Sequence, residues 1–125
     1  MFIIHLLNQI RARWRYPGSM PEEIASALGV GLSNQMSFED FFNRLTSPHC
    51  NPSHLTRLMP RSLAEAQFQN ATHCEKFHRA TICSYSFPQG WLEFKLHFDD
   101  HNLLRRLYIH HHSIPTDQGQ ELLLK

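Results

Sequence analysis

Apolar residues in the first stretch of the chain fall at Ile3, Leu6, Leu7, Ile10 and Trp14. That spacing gathers them on one face of a helix over 2–15, with Asn8, Gln9 and three arginines around the rest. Pro17-Gly18 stops the helix. Ser19 then stands three residues before Glu22, a capping-box pair that predicts a helix over "MPEEIASALGV" with Pro21 in its first turn. Gly29 and Gly31 end it. Ser37, with Asp40 close behind, predicts another helix at "SFEDFFNRL" that buries some of Phe38, Phe41, Phe42 and Leu45. "TSPHCNPSH" reads as a loop, punctuated by Pro48 and Pro52. A short helical turn is expected over "SHLTRLM". A fuller helix follows over "RSLAEAQFQNA", offering Leu63, Ala66 and Phe68 to the core.

The period changes near residue 75. In "WLEFKLHF", residues 91–98, Leu92, Phe94, Leu96 and Phe98 alternate with Trp91, Glu93, Lys95 and His97. That is the period-2 pattern of a strand with one buried face. "FPQGW" before it and "DDHN" after it are turns, so "ATICSYSF" and "LLRRLYIHH" are its antiparallel neighbours. A two-residue turn at Pro88-Gln89 puts Cys83 and Tyr85 on the buried face. A loop at 99–102 sets Phe98 opposite Leu103, Leu96 opposite Arg105, Phe94 opposite Leu107 and Leu92 opposite Ile109. Arg105 is the misfit and is expected to reach past the sheet edge. The fold class is therefore α+β, with N-terminal helices packed on a C-terminal three-stranded antiparallel meander. The sheet becomes four-stranded if Leu122 to Leu124 dock as an added strand. Such an order of elements occurs in cystatin-like and other α+β folds, an analogy of architecture that gives no function. One domain is expected over 1–125: mainly helical over 1–71, sheet over 75–113, and a tail over 115–125.

Composition narrows the function classes. The net charge of +1 gives no global attraction to nucleic acid or an anionic membrane. Three cysteines, Cys50, Cys74 and Cys83, form neither an even framework nor a CxxC pair, which points to a reducing interior. At the N-terminus the arginines follow the apolar run, the reverse of a secretory signal, and that run is too short to span a membrane. The expected location is the cytoplasm.

Ten histidines raise the question of metal. In "LYIHHHSIP" a regular strand turns His110 and His112 to one face and His111 to the other. His110 and His112 are then the weak metal candidates, and a solvated strand end is the favoured reading because a zinc site needs three or four ligands. No metal or other cofactor is expected. Cys74 lies near His73, Glu75 and His78, and Cys50 beside His49, but sequence neighbours on a strand point apart and no oxyanion loop stands near. Asp99-Asp100 and Glu39-Asp40 suit a turn and a first helical turn respectively. No phosphate-binding, dinucleotide-binding, nucleophile-elbow or zinc-protease motif is present.

"EEIASALGVGLSNQMSFEDFF" resembles the first half of a bacterial helix-turn-helix, with Ala25 and Gly29-Val30 in the matching places. The resemblance implies a recognition helix from about Ser33. That segment carries Glu39 and Asp40, and no Arg or Lys before Arg44, so it would repel phosphates. The N-terminal helix offers a better surface. Phe2, Leu6 and Trp14, rimmed by Arg11 and Arg15, form a face for a partner protein or a second copy of the chain. The expected function is non-catalytic protein binding. The alternative is a small-ligand or metal-binding domain, or an enzyme, with His97, Tyr108 and His110 in a pocket between sheet and helices; the second alternative is a helix-turn-helix-like DNA binder.

Overall fold

The computed structural model describes residues 21–30, 37–48 and 50–125. The helix expected over 2–15, the Ser19 cap, Gly31, Ser33 and His49 lie outside those residues. Among the described residues three helices precede the sheet: α1 (Pro21–Leu28), α2 (Phe38–Leu45) and α3 (Arg61–Ala66). Five strands follow: β1 (His73–Lys76), β2 (Ala80–Phe87), β3 (Gly90–Phe98), β4 (Leu104–His110) and β5 (Gln120–Leu122). They form one antiparallel sheet in sequential order.

Local chemistry accounts for the helix ends. At α1 the Val30 amide donates to the Ala25 carbonyl (2.9 Å) and the Gly29 amide to Ser26 (3.4 Å), a Schellman ending with Gly29 at φ +73°. Ser53 Oγ donates to the Gly29 carbonyl at 2.8 Å, His54 Nδ1 to Ala27 at 2.9 Å, and the His54 amide to Leu28 at 3.0 Å. The loop thus satisfies carbonyls that the helix leaves open. Ser37 caps α2, accepting the Asp40 amide at 3.2 Å, and Glu39 and Asp40 occupy the positive end of the helix dipole. Helix α2 buries Phe38, Phe41 and Leu45.

The sequence expectation is corrected in several places. Among the described residues the sheet has five strands, because the polar run His73–Lys76 pairs with β2 and Gln120–Leu122 pairs with β4. The segment "SHLTRLM" forms turns, and Leu58 there takes φ +73°. Helix α3 is shorter than expected and buries only Ala64; Leu63 is 55% exposed, while Phe68 beyond the helix reaches the core.

The β3–β4 register also differs. Phe94 faces Ile109, Leu96 faces Leu107, and Phe98 faces Leu104, with an irregularity between His97 and Phe98. Arg105 is the extra residue, ejected by a β-bulge. The cause is the turn: Asp99 Oδ1 accepts the His101 amide (2.9 Å) and the Leu103 amide (3.0 Å), while Oδ2 accepts Arg105 Nε at 2.7 Å. The bulge lets Leu104 and Leu107, three residues apart, both lie buried. The expected turn at Pro88-Gln89 holds, with Phe87 opposite Gly90.

Beneath the helices lie Cys83, Tyr85, Leu92, Phe94, Leu96, Leu107 and Ile109, against Phe41, Leu45, Leu55 and Phe68. Phe94 sits at the centre, 5.3 Å from the Phe68 ring and 5.7 Å edge-on from Tyr85. The Tyr85 hydroxyl is buried without a hydrogen-bond partner among the described residues, and burial pushes its pKa up. Phe94→Ala is expected to destabilise the protein by about 3–5 kcal/mol in urea unfolding. A loss below about 1 kcal/mol would contradict this packing.

Candidate functional site

Helix α3 has little apolar surface, so polar contacts fix it to the sheet. Arg61, its first residue, reaches the tight β1–β2 hairpin. Nη2 donates to the carbonyls of Phe77 (2.7 Å) and Ala80 (3.2 Å), and Nη1 to His78 at 2.9 Å. Nη2 also lies 3.1 Å from Thr81 Oγ1, and the guanidinium packs 4.8 Å from the Phe98 ring centre. Glu65, one turn along the helix, accepts from Arg61 Nε at 3.2 Å and from Thr81 Oγ1 at 2.5 Å. Lys76 Nζ stands 3.5 Å from its other oxygen. Burial would raise the Glu65 carboxyl, but hydrogen bonds from Thr81 and Arg61 and the nearby cations outweigh it and hold the pKa below the usual range. Glu65 is therefore a weak base, committed to structure.

Beside this carboxylate opens a cleft of ≈ 530 Å³ between α3, its following turn and the β1–β2 hairpin. Cys74, Lys76, Thr81 and Cys83 lie along it with Glu65 and Phe68. A second cleft of ≈ 500 Å³, walled by Glu23, Ser26 and Gln67, shares Ala66 and Gln69 with the first. Both are shallow and open. Cys74 and Cys83 are direct partners across β1 and β2. His73 is turned to the opposite face, where Nε2 lies 3.1 Å from Glu75 Oε1. Among the described residues Cys74 thus has no neighbouring imidazole on its own strand placed as its base. Cys50 is half-buried, and burial raises its thiol pKa although Arg44 opposes it.

The histidine run clamps a turn. Strand β4 ends at His110, which faces Glu93 with Nδ1 3.8 Å from Oε2. His111 turns inward against the rings of Phe38 (5.3 Å) and Phe42 (5.1 Å). Its Nε2 donates to the Gln89 carbonyl at 2.9 Å, and its Nδ1 accepts the Ser113 amide at 3.2 Å, which fixes the neutral tautomer. His112 Nε2 donates to the same carbonyl at 2.7 Å. His110 and His112 therefore serve different partners. Gly90, at φ +115°, is required here, since a Cβ would lie 2.7 Å from His112 Cδ2. Among the described residues no group of three or more His, Cys, Asp or Glu is placed to hold a metal ion.

His97 and Tyr108 come together, ring centres 5.2 Å apart, on the sheet face opposite Leu96 and Phe94, away from the helices. His110 lies on that same face. Phe2, Leu6, Arg11, Trp14 and Arg15 are outside the described residues. Arg61, Arg105 and Arg106 serve separate partners: the hairpin, Asp99 and the Tyr108 hydroxyl. Among the described residues no helix is long and apolar enough to cross a membrane. Sequence reasoning missed Arg61, Glu65 and the cysteine pairing. The i,i+4 spacing of Arg61 and Glu65 was a visible signal, but their targets on the hairpin were not.

Two outcomes follow. Arg61→Met removes the side-chain donor from the Phe77 and His78 carbonyls, leaves Ala80 only the Phe77 amide, and is expected to cost about 3 kcal/mol in urea unfolding; an effect within about 0.5 kcal/mol would deny Arg61 its structural role. His111 has its pKa lowered, chiefly by burial, with smaller contributions from His112 and His110 against the Gln89 carbonyl. His97 is lowered chiefly by burial, then by Lys95 and Arg106. The unfolded chain thus binds protons more readily. The stability this gives is complete above about pH 6.5 and is lost as pH falls through the folded values. Tm is expected to drop between about pH 7 and pH 5, and to drop less in His111→Gln. An equal drop in both proteins would exclude His111 as a cause. Comparison of the chain with protein-family models, with curated proteins and with solved structures finds no match to any of them.

Proposed function

We propose that this protein is a non-catalytic binding module that takes an extended segment of another protein alongside β1, an edge strand of the sheet among the described residues. The observation that carries this reading is the contrast between the two sides of the sheet. On the other side β4 is covered: the Leu58 amide donates to Leu104 at 2.6 Å, the Arg61 amide to Asn102 at 2.9 Å, and β5, a three-residue strand that forms the sheet's second edge, pairs with the remainder. The C-terminal end is tied in turn, Gln120 Nε2 to the Thr46 carbonyl at 2.6 Å and the Arg57 amide to Lys125 at 2.9 Å. Strand β1 has no second neighbour among the described residues.

The Phe77 amide donates to Ala80 at 2.7 Å, making these two a hydrogen-bonded pair. Alternation along the ladder then directs the main-chain groups of Glu75 and His73 to β2, and those of Cys74 and Lys76 outward. An edge of four residues carrying Lys76 resists indiscriminate pairing but accepts a short partner strand. The shallow clefts beside it carry the polar side chains of Ser62 and Gln69. The apolar stripe of Phe2, Leu6 and Trp14 supplies a second contact, to the same partner or to another copy of the chain. The cytoplasm fits three cysteines without a CxxC pair. Against a ligand pocket between sheet and helices stands the filling of that interior by Phe41, Phe68, Tyr85 and Phe94.

Capture from the source lysate with Lys76→Pro and Lys76→Met tests the reading. Proline removes the outward N–H, which an edge strand tolerates, whereas methionine removes only the charge. A partner held in fixed ratio by the wild type and Lys76→Met, and weakened about tenfold or more by Lys76→Pro with an unchanged circular dichroism spectrum, is expected. Equal capture by all three proteins, or no stoichiometric partner, would reject edge binding.

A further inference from the structure

Cys74 and Cys83 occupy directly opposed positions on neighbouring strands, and the type of that pair decides what they can do. Phe77 and Ala80 are hydrogen-bonded, so in an antiparallel ladder Lys76–Thr81 is a non-hydrogen-bonded pair, Glu75–Ile82 a hydrogen-bonded one, and Cys74–Cys83 again non-hydrogen-bonded. The other side of β2 agrees. Counting from the Phe87–Gly90 turn, Cys83 directs its main-chain groups to Phe94 on β3. Non-hydrogen-bonded pairs stand closest, with Cα atoms about 4.5 Å apart. Disulfides bridge Cα separations of about 4.4–6.8 Å, so the register brings the two thiols within bonding reach without moving either strand.

The two sulfurs differ in access and chemistry. Cys74 is exposed on the edge strand and opens to the cleft, whereas Cys83 is 1% exposed beneath it. A hydrogen bond from Cys83 holds the Cys74 thiol below its ordinary value, outweighing burial. The same bond, with burial, pushes Cys83 up. Lys76 adds to the thiolate character of Cys74, and Glu65 opposes it. The pair therefore divides into an accessible attacking thiol and a sheltered resolving thiol.

We propose that Cys74 and Cys83 are a redox-active dithiol that a hydroperoxide converts into a cross-strand disulfide. The Cys74 thiolate attacks the terminal oxygen of the peroxide. The O–O bond breaks, the alcohol or water leaves after taking up a proton, and Cys74 becomes a sulfenic acid. Cys83 sulfur then attacks the Cys74 sulfur. The S–O bond breaks, the Cys83 proton leaves with the hydroxyl as water, and the S–S bond forms. The peroxide is reduced and the dithiol oxidised by two electrons, and an external thiol restores the pair by exchange. The disulfide ties the edge strand covalently to its neighbour.

Treatment of the full chain with one equivalent of hydrogen peroxide, followed by thiol titration and tryptic mass mapping, tests the proposal. The chain has three thiols, and one is expected to remain, that of Cys50. Lys76 and Arg79 lie between the paired cysteines, so trypsin releases two peptides joined only through sulfur and lighter by two hydrogens. Dithiothreitol should restore all thiols. Cys83→Ser should stop at the sulfenic acid, trapped on Cys74 by dimedone, and Cys74→Ser should leave Cys83 unreacted. The wild-type map decides the matter even where a variant folds poorly. Oxidation of Cys50 in preference, overoxidation of Cys74 with Cys83 still a thiol, or disulfides only between chains would each overturn it.

Discussion

The guanidinium of Arg61 is the constraint on which the rest of this structure hangs. The short β1 strand and the Phe77–Ala80 turn bury no side chain fully. Arg61 satisfies three carbonyls there, and Asn102 Oδ1 stands 3.4 Å from it at the neighbouring β3–β4 turn. Helix α3 is equally short of apolar surface, with Ala64 as its only buried side chain. Ordinary packing therefore cannot hold helix and hairpin together, and a charged network does so instead. With Arg61 and Glu65 both only 16% exposed, their interaction is screened far less than a surface pair would be. Glu65 neutralises the cation and carries its hold onward to Thr81 and Lys76.

Fixing that turn also fixes what lies along the strand. A slip of one residue would carry Cys74 and Lys76 to the opposite face and bring His73 and Glu75 into the cleft. The opposed cysteines and the outward main-chain groups of β1 are thus consequences of one clamp. The edge strand, the cleft and the thiol pair form a single neighbourhood.

The other turns of the meander use the same device with different chemistry. Asp99 gathers the His101 and Leu103 amides and the Arg105 side chain, creating the bulge that lets both Leu104 and Leu107 face the core. His111 and His112 converge on the Gln89 carbonyl, and the His111 ring joins the aromatic cluster of Phe38 and Phe42. A cation, a carboxylate and a neutral imidazole each hold one reversal of the chain. Burying His111 as a neutral ring makes the third clamp sensitive to acid.

The sequence by itself determined the elements whose physics is local. The alternation from Leu92 to Phe98 marked β3 and its buried face, Pro88-Gln89 marked the two-residue turn, Ser37 marked the start of α2, and Gly29 the end of α1. Each is governed by side-chain period, a cap or a backbone conformation within a few residues. The four polar residues of β1 carry no such period, because an edge strand beside a half-open cleft buries too little to impose one. Periodicity likewise says which face a residue takes and not how far along the next strand its partner lies; the Asp99 turn and the Arg105 bulge shifted the β3–β4 register by two residues from the simplest alignment. Arg61, His111 and the Cys74–Cys83 pair owe their roles to groups distant in sequence. Only the tertiary structure could decide them, since a hydrogen-bond donor leaves no trace of its acceptor in its own neighbourhood of the chain.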